Sequence, residues 1–180
     1  MERIAFSFAF VVLAAAPAAA EVKSSTSAGF EVEAKATVPV SPAQAYMALG
    51  RIGDWWNSQH TYSGKASNLR LDARAGGCFC ETVPDGNGTI EHMRVIYAQP
   101  AQTLRLQGAL GPLQAEAAMG TLTWALKAVP GGTEVTQSYV VGGYVRAGTE
   151  KMAPLVDMVL TEQLARYRNH LRDRGGRSDD

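Results

Sequence analysis

The chain has 180 residues, 46% of them hydrophobic, and its 17 acidic residues match its 17 basic ones, which leaves no net charge for holding a nucleic-acid backbone. Its two cysteines are too few for a disulfide scaffold. The length suits one domain able to bury a core unaided.

Arg3, the apolar run from Ile4 to Ala16, Pro17 and the small residues Ala18, Ala19 and Ala20 follow the charged, apolar and cleavage-site order of a secretory signal. The run is short for a bilayer span, which takes roughly 20 predominantly apolar residues. Residues 1–20 are therefore expected to be a signal peptide cleaved between Ala20 and Glu21, leaving a soluble periplasmic or secreted protein. No second apolar run suggests a membrane span.

Residues 21–29 carry no clear pattern and are expected to be flexible. From Phe30 the chain alternates, with Phe30, Val32, Ala34, Ala36 and Val38 on one side and charged or polar residues on the other, which predicts a half-buried strand. Ser41, Pro42 and Gln44 supply a cap, a first-turn proline and a capping-box partner for a helix running to about Leu49. Asp54-Trp55-Trp56-Asn57 then predicts a second short helix or turn.

Alternation at Leu69–Arg74 precedes the Gly76-Gly77 break. Strands are then expected at Cys78–Val83, Thr89–Tyr97, Thr103–Gln107, Thr121–Ala128 and Glu134–Val141, with turn signals at Asp85–Gly88, Gln99-Pro100 and Pro130–Gly132. Gly108–Gly120 has little strand character. Last comes a helical stripe of Met152, Val156, Leu160, Leu164, Tyr167 and Leu171, widened by Leu155 and Val159. Pro154 places the helix start nearby, and Gly175-Gly176 ends it. His170 is expected on its exposed end, and residues 174–180 are read as a disordered tail.

Cys78 and Cys80 share a face if their strand is regular. Their Cα atoms would then lie roughly 6.5 to 7 Å apart, at the limit of a disulfide. Two free thiols are expected unless a bulge pinches the strand.

"SPAQAYMALGRIGDWWN", "RAGGCFCE" and "GGTEVTQSYV" resemble the START-like, or SRPBCC, superfamily in its first helix pair, its glycine entry into a strand and its last strand. The likeness spans residues 30–173 and points toward activators of the heat-shock ATPase and polyketide cyclase or dehydrase-like proteins. It implies an α+β helix-grip fold, in which a curved antiparallel sheet of about six or seven strands surrounds a long C-terminal helix, with two short helices after the first strand. Export removes the cytosolic chaperone and its ATP, so the activator role is not carried over.

Such a fold meets sheet with helix across a gap that is either packed or open. Trp55, Trp56, Phe79, Trp124, Tyr139, Tyr144 and Tyr167 either line a pocket or fill the core. Hairpin loops of two or four residues put His92 on the face of Phe79 and Glu81, and three-residue loops put it beside Cys78 and Cys80. Glu81 and His92 then form an acid-base couple, a ligand anchor or a solvated ion pair. His60 either lines the mouth of a pocket or is simply exposed.

Neither a metal site nor a cysteine nucleophile has supporting spacing around Cys80. No cofactor motif is present. The expected function is an exported binding protein for a small hydrophobic or aromatic ligand, with Trp55, Trp56, Phe79, Glu81, His92, Trp124, Tyr139 and Tyr167 as the site. The alternatives are a cyclase- or dehydratase-type enzyme using Glu81 and His92, or a closed-core interaction domain. Oligomeric state is left open.

Overall fold

A computed structural model describes residues 19–175 apart from Asn87. Most of the expected signal peptide and the last five residues of the expected tail lie outside the described residues. Strands β1 (Ala19–Thr26) and β2 (Gly29–Val38) lead into helix α1 (Pro42–Gly50). After short helical turns come β3 (Leu69–Leu71), β4 (Cys78–Val83), β5 (Gly88–Gln99), β6 (Thr103–Gly108), β7 (Ala117–Val129), β8 (Gly132–Tyr144) and the long helix α2 (Thr149–Gly175).

The strands form one antiparallel sheet in the order β1-β2-β8-β7-β6-β5-β4-β3. Strands β3 to β8 are a meander, and β2 reaches β8 because α1 and the turns after it carry the chain to the opposite edge. The alternation of Phe30–Val38 is the buried face of β2. Helix α1 begins as its sequence dictates. The Ser41 side chain accepts from Gln44 N while the Gln44 side chain accepts from Ser41 N.

Helix α2 lies over the concave face, against β1 and β2, where Ala34 and Ala36 allow close approach. Leu160, Leu164, Tyr167 and Leu171 are buried against the sheet. This is a helix-grip fold.

Several expectations change. The sheet has eight strands rather than six or seven, because the segment expected to be flexible is β1. Its polar residues hide an edge strand held by backbone pairing to β2, with a slip between Val22 and Ser24. Part of the stretch without strand character, from Ala117, opens β7, and residues Gly111–Ala115 form a short helical turn. Helix α2 starts at Thr149, so Pro154 sits on its exposed side within the helix. The helix reaches Gly175, two residues into the segment expected to be disordered. His170 is half-buried rather than exposed.

The largest correction concerns the cysteines. Cys78 and Cys80 are disulfide-bonded, with Cα atoms 5.4 Å apart. The ladder slips at this point, Phe79 pairing with Met93 but Cys80 with Glu91. The irregular stretch brings the two residues within bridging distance, which a regular strand would not.

Candidate ligand-binding site

The same slip builds the site. Glu81 pairs with Ile90, and the hairpin closes between Val83 and Gly88 over residues 84–87. This register puts His92 on the face of Phe79 and Glu81. Because His92 is the extra residue of a β-bulge, it turns inward together with its neighbour Met93, breaking the alternation of β5. A second slip between Val95 and Tyr97 adds to the curvature of this strand.

Glu81 and His92 are 1% and 6% exposed, and Nε2 of His92 lies 3.0 Å from Oε2 of Glu81. The pair is buried, so the solvated cross-strand reading does not hold. Glu81 also accepts from the backbone N–H groups of Tyr62 at 3.1 Å and Ser63 at 2.5 Å. Burial pushes the Glu81 carboxyl upward, but these donors outweigh it and hold the group below the usual carboxylate range. Burial likewise pushes the His92 imidazolium down, against the opposing pull of Glu81. The pair therefore consists of a carboxylate and a neutral imidazole. The proton between them belongs to His92 Nε2, which donates it to Glu81, and Nδ1 carries a lone pair.

These bonds tie down the segment 57–65. Its other side is fastened to α2, where Asn57 N–H donates to Gln163 Oε1 at 2.8 Å and Asn57 Nδ2 to Glu162 Oε1 at 2.5 Å. His60 Nε2 lies 3.2 Å from Glu162 Oε2. Tyr62 reaches across the opening and donates its hydroxyl to Gly111 O at 3.0 Å. The segment thus arches between helix and sheet without filling the space beneath it.

That space is a cavity of about 450 Å³. Trp56, Leu69, Phe79 and His92 form its sheet side, and Met152, Leu155, Val156, Val159 and Leu160 its helix side. Gln59, His60, Thr61 and Tyr62 form one rim, and Leu110, Gly111 and Pro112 the other. The His92 ring is held between neighbours, 4.9 Å from Phe79 and 5.9 Å from Tyr62.

Of the eight expected site residues, Trp56, Phe79 and His92 line this cavity, and Glu81 stands behind His92 as its anchor. The other four pack elsewhere. Trp55 is buried edge-on to Tyr167, donating Nε1–H to Ala48 O, while Tyr167 donates to Ala45 O. Trp124 donates to Gln137, which in turn donates to Leu160 O. Tyr139 donates to Gly108 O and accepts from Leu110 N, and burial pushes its phenol up to about 12. Tyr139 fits only because residue 120 is glycine, since a Cβ there would run into its ring. Tyr144, also expected among the aromatic lining, is exposed.

His60 stands at the rim, the first of the two places the sequence allowed it, whereas Gln59, Thr61, Tyr62, residues 110–112 and the first turns of α2 escaped the sequence reading. The signal that existed was the widening of the α2 stripe by Leu155 and Val159, which a helix packed on one narrow face does not need.

Cys78, Cys80 and Glu91 cluster on the outer side of the sheet. With the sulfurs bonded to each other, neither is a thiolate for a metal. Cys80 faces away from His92, so the two make no nucleophile pair.

No family model matches the sequence, and no curated protein matches it. Solved structures share the fold at low identity. A protein of Mesorhizobium loti, MLL2253, is 16% identical over 80% of this chain and 97% of its own, with a TM-score of 0.58. CalU16 from Micromonospora echinospora is 12% identical over 89% of this chain and 88% of its own, with a TM-score of 0.54. The di-domain ARO/CYC StfQ from the steffimycin biosynthetic pathway is 13% identical, with a TM-score of 0.55 over 83% of this chain and 53% of StfQ. The class defined here is thus the helix-grip fold.

Proposed function

We propose that this protein binds one small hydrophobic or aromatic molecule between α2 and the sheet, and that it does so outside the cytoplasm. The observation that carries the reading is the apolar cavity beneath the segment 57–65, of a size common for small-molecule sites, roughly 300–1,000 Å³. The signal-like start of the chain supports the location. Native mass spectrometry and solvent extraction of protein recovered from its own compartment test both points. The expected result is a mature mass beginning at Glu21 with a bound apolar compound. A chain retaining Met1 to Ala20, and nothing extractable, contradicts the reading.

A second reading is favoured by one observation, the buried Glu81–His92 pair beside the cavity. In a cyclase- or dehydratase-type enzyme, His92 Nδ1 takes a proton from the bound molecule and Glu81 stabilises the imidazolium that forms. StfQ shares the fold, and a shared fold does not transfer its chemistry. Turnover of the extracted compound that disappears in Glu81→Gln identifies an enzyme. Unchanged compound identifies a carrier.

A further inference from the structure

Resting on the ligand-binding reading, we propose that the molecule bound here is an apolar compound carrying a hydroxyl whose O–H donates to His92 Nδ1. Four observations converge on that nitrogen. The ring lines the cavity. Its Nε2 is engaged with Glu81, which, as a carboxylate, can only accept. No hydrogen bond to Nδ1 is present among the described residues. Nor is Nδ1 among the buried polar atoms without a partner, which are Thr161 Oγ1, Gln163 Nε2 and His170 Nε2. The lone pair is therefore reachable from the cavity.

Nδ1 cannot offer a donor instead. Moving the proton from Nε2 to Nδ1 would leave a bare Nε2 against the Glu81 carboxylate, and a ring flip would put Cε1 there, losing the hydrogen bond. Phe79 and Tyr62 flank the imidazole and confine its plane. The inner wall is otherwise built from Trp56, Leu69, Phe79, Val156 and Leu160, whose contacts tolerate many apolar shapes. A donor on the ligand satisfies Nδ1, whereas an ether or ketone oxygen would meet it lone pair to lone pair. A purely apolar ligand would strip Nδ1 of water without replacing the hydrogen bond. Such a site discriminates by the penalty of leaving its own polar group unpaired.

Three probes of equal ring size test this: 2-naphthol, 2-methoxynaphthalene and 2-methylnaphthalene, each titrated into the full mature chain and followed by tryptophan fluorescence, since Trp56 lines the cavity. The expected result is that 2-naphthol binds roughly tenfold more tightly than either of the others, and that His92→Phe removes the advantage while all three still bind. Equal affinities in the wild-type protein overturn the hydroxyl assignment and leave the ligand-binding reading standing. Failure of all three to bind overturns both. Should His92→Phe not fold, the wild-type imidazole is read directly by ¹⁵N NMR. Nδ1 is expected to resonate as an unprotonated nitrogen and to move toward the hydrogen-bonded range on saturation with 2-naphthol. A proton found on Nδ1 rather than Nε2 overturns the proposal.

Discussion

The two halves of helix α2 carry one continuous apolar stripe, yet they meet the sheet differently. Toward the C-terminal end, Leu164, Tyr167 and Leu171 are buried, with Tyr167 against Trp55 and its hydroxyl donating to Ala45 O. Toward the N-terminal end, Met152, Leu155, Val156 and Val159 face the cavity. The stripe facing the sheet is apolar in both halves. What differs is the partner, because large rings fill the first gap while the second is spanned by a segment hung between Glu81 and Glu162. An apolar helix face thus says that something covers it, and only the opposite wall says whether that is core or ligand.

The largest effect should come from breaking the packed core. Trp124→Ala removes a fully buried ring and orphans Gln137 Oε1, and the cost expected from denaturant unfolding is about 3–5 kcal/mol. A loss below about 1 kcal/mol would mean that the core around Trp124 is not close-packed.

Next comes the tether. Glu81→Ala orphans the donors of Tyr62, Ser63 and His92, with an expected loss of about 2–3 kcal/mol. Hydrogen exchange should rise selectively in residues 57–65. The pair also sets a pH dependence. Both folded-state pKa values lie below their ordinary ones, 4.5 for Glu81 and 6.5 for His92, so the unfolded chain takes up these protons first. Their contribution is fully present above pH 6.5, falls first as His92 is protonated in the unfolded chain, and is lost further below pH 4.5 through Glu81. The unfolding midpoint should therefore drop on acidification, and below pH 4.5, where the Glu81 share is lost, less steeply in Glu81→Ala. Equal slopes below pH 4.5 in the two proteins would contradict this.

Reducing Cys78–Cys80 frees a very short loop, so chain entropy assigns it only about 1.5 kcal/mol. Thiol titration of unfolded, unreduced protein should count no free groups. Two would show that β4 is not pinched. The smallest stability effect is expected in the open half, where Val156→Phe adds a ring to empty space and should shift stability by less than about 1 kcal/mol, against the typical 1–3 for overpacking a solid core.

Periodicity and capping made most of the fold legible. The alternation of Phe30–Val38 and the Ser41-Pro42-Gln44 cap needed no tertiary information. Strand β1 was hidden because its stability comes from backbone pairing with β2, which leaves no hydrophobic pattern. The odd register of the β4–β5 hairpin could be reasoned from loop length, and it put His92 beside Glu81. The bulge at His92 could not, since one extra residue in a ladder is decided by how β4 and β5 curve over the core. The same limit applied to the rings. Trp56 and Trp124 are equally apolar, and their different duties follow from what stands opposite each one.

The central claim is that the open half of α2 covers a ligand site rather than a loosely packed core. Titration of 2-naphthol into the wild-type protein and into Val156→Phe, with stability measured on the same samples, tests it most directly. The account predicts saturable one-site binding to the wild-type protein and loss of binding in a variant of unchanged stability. A variant that binds as well as wild type, or one that loses stability while the wild-type protein binds nothing, would contradict it.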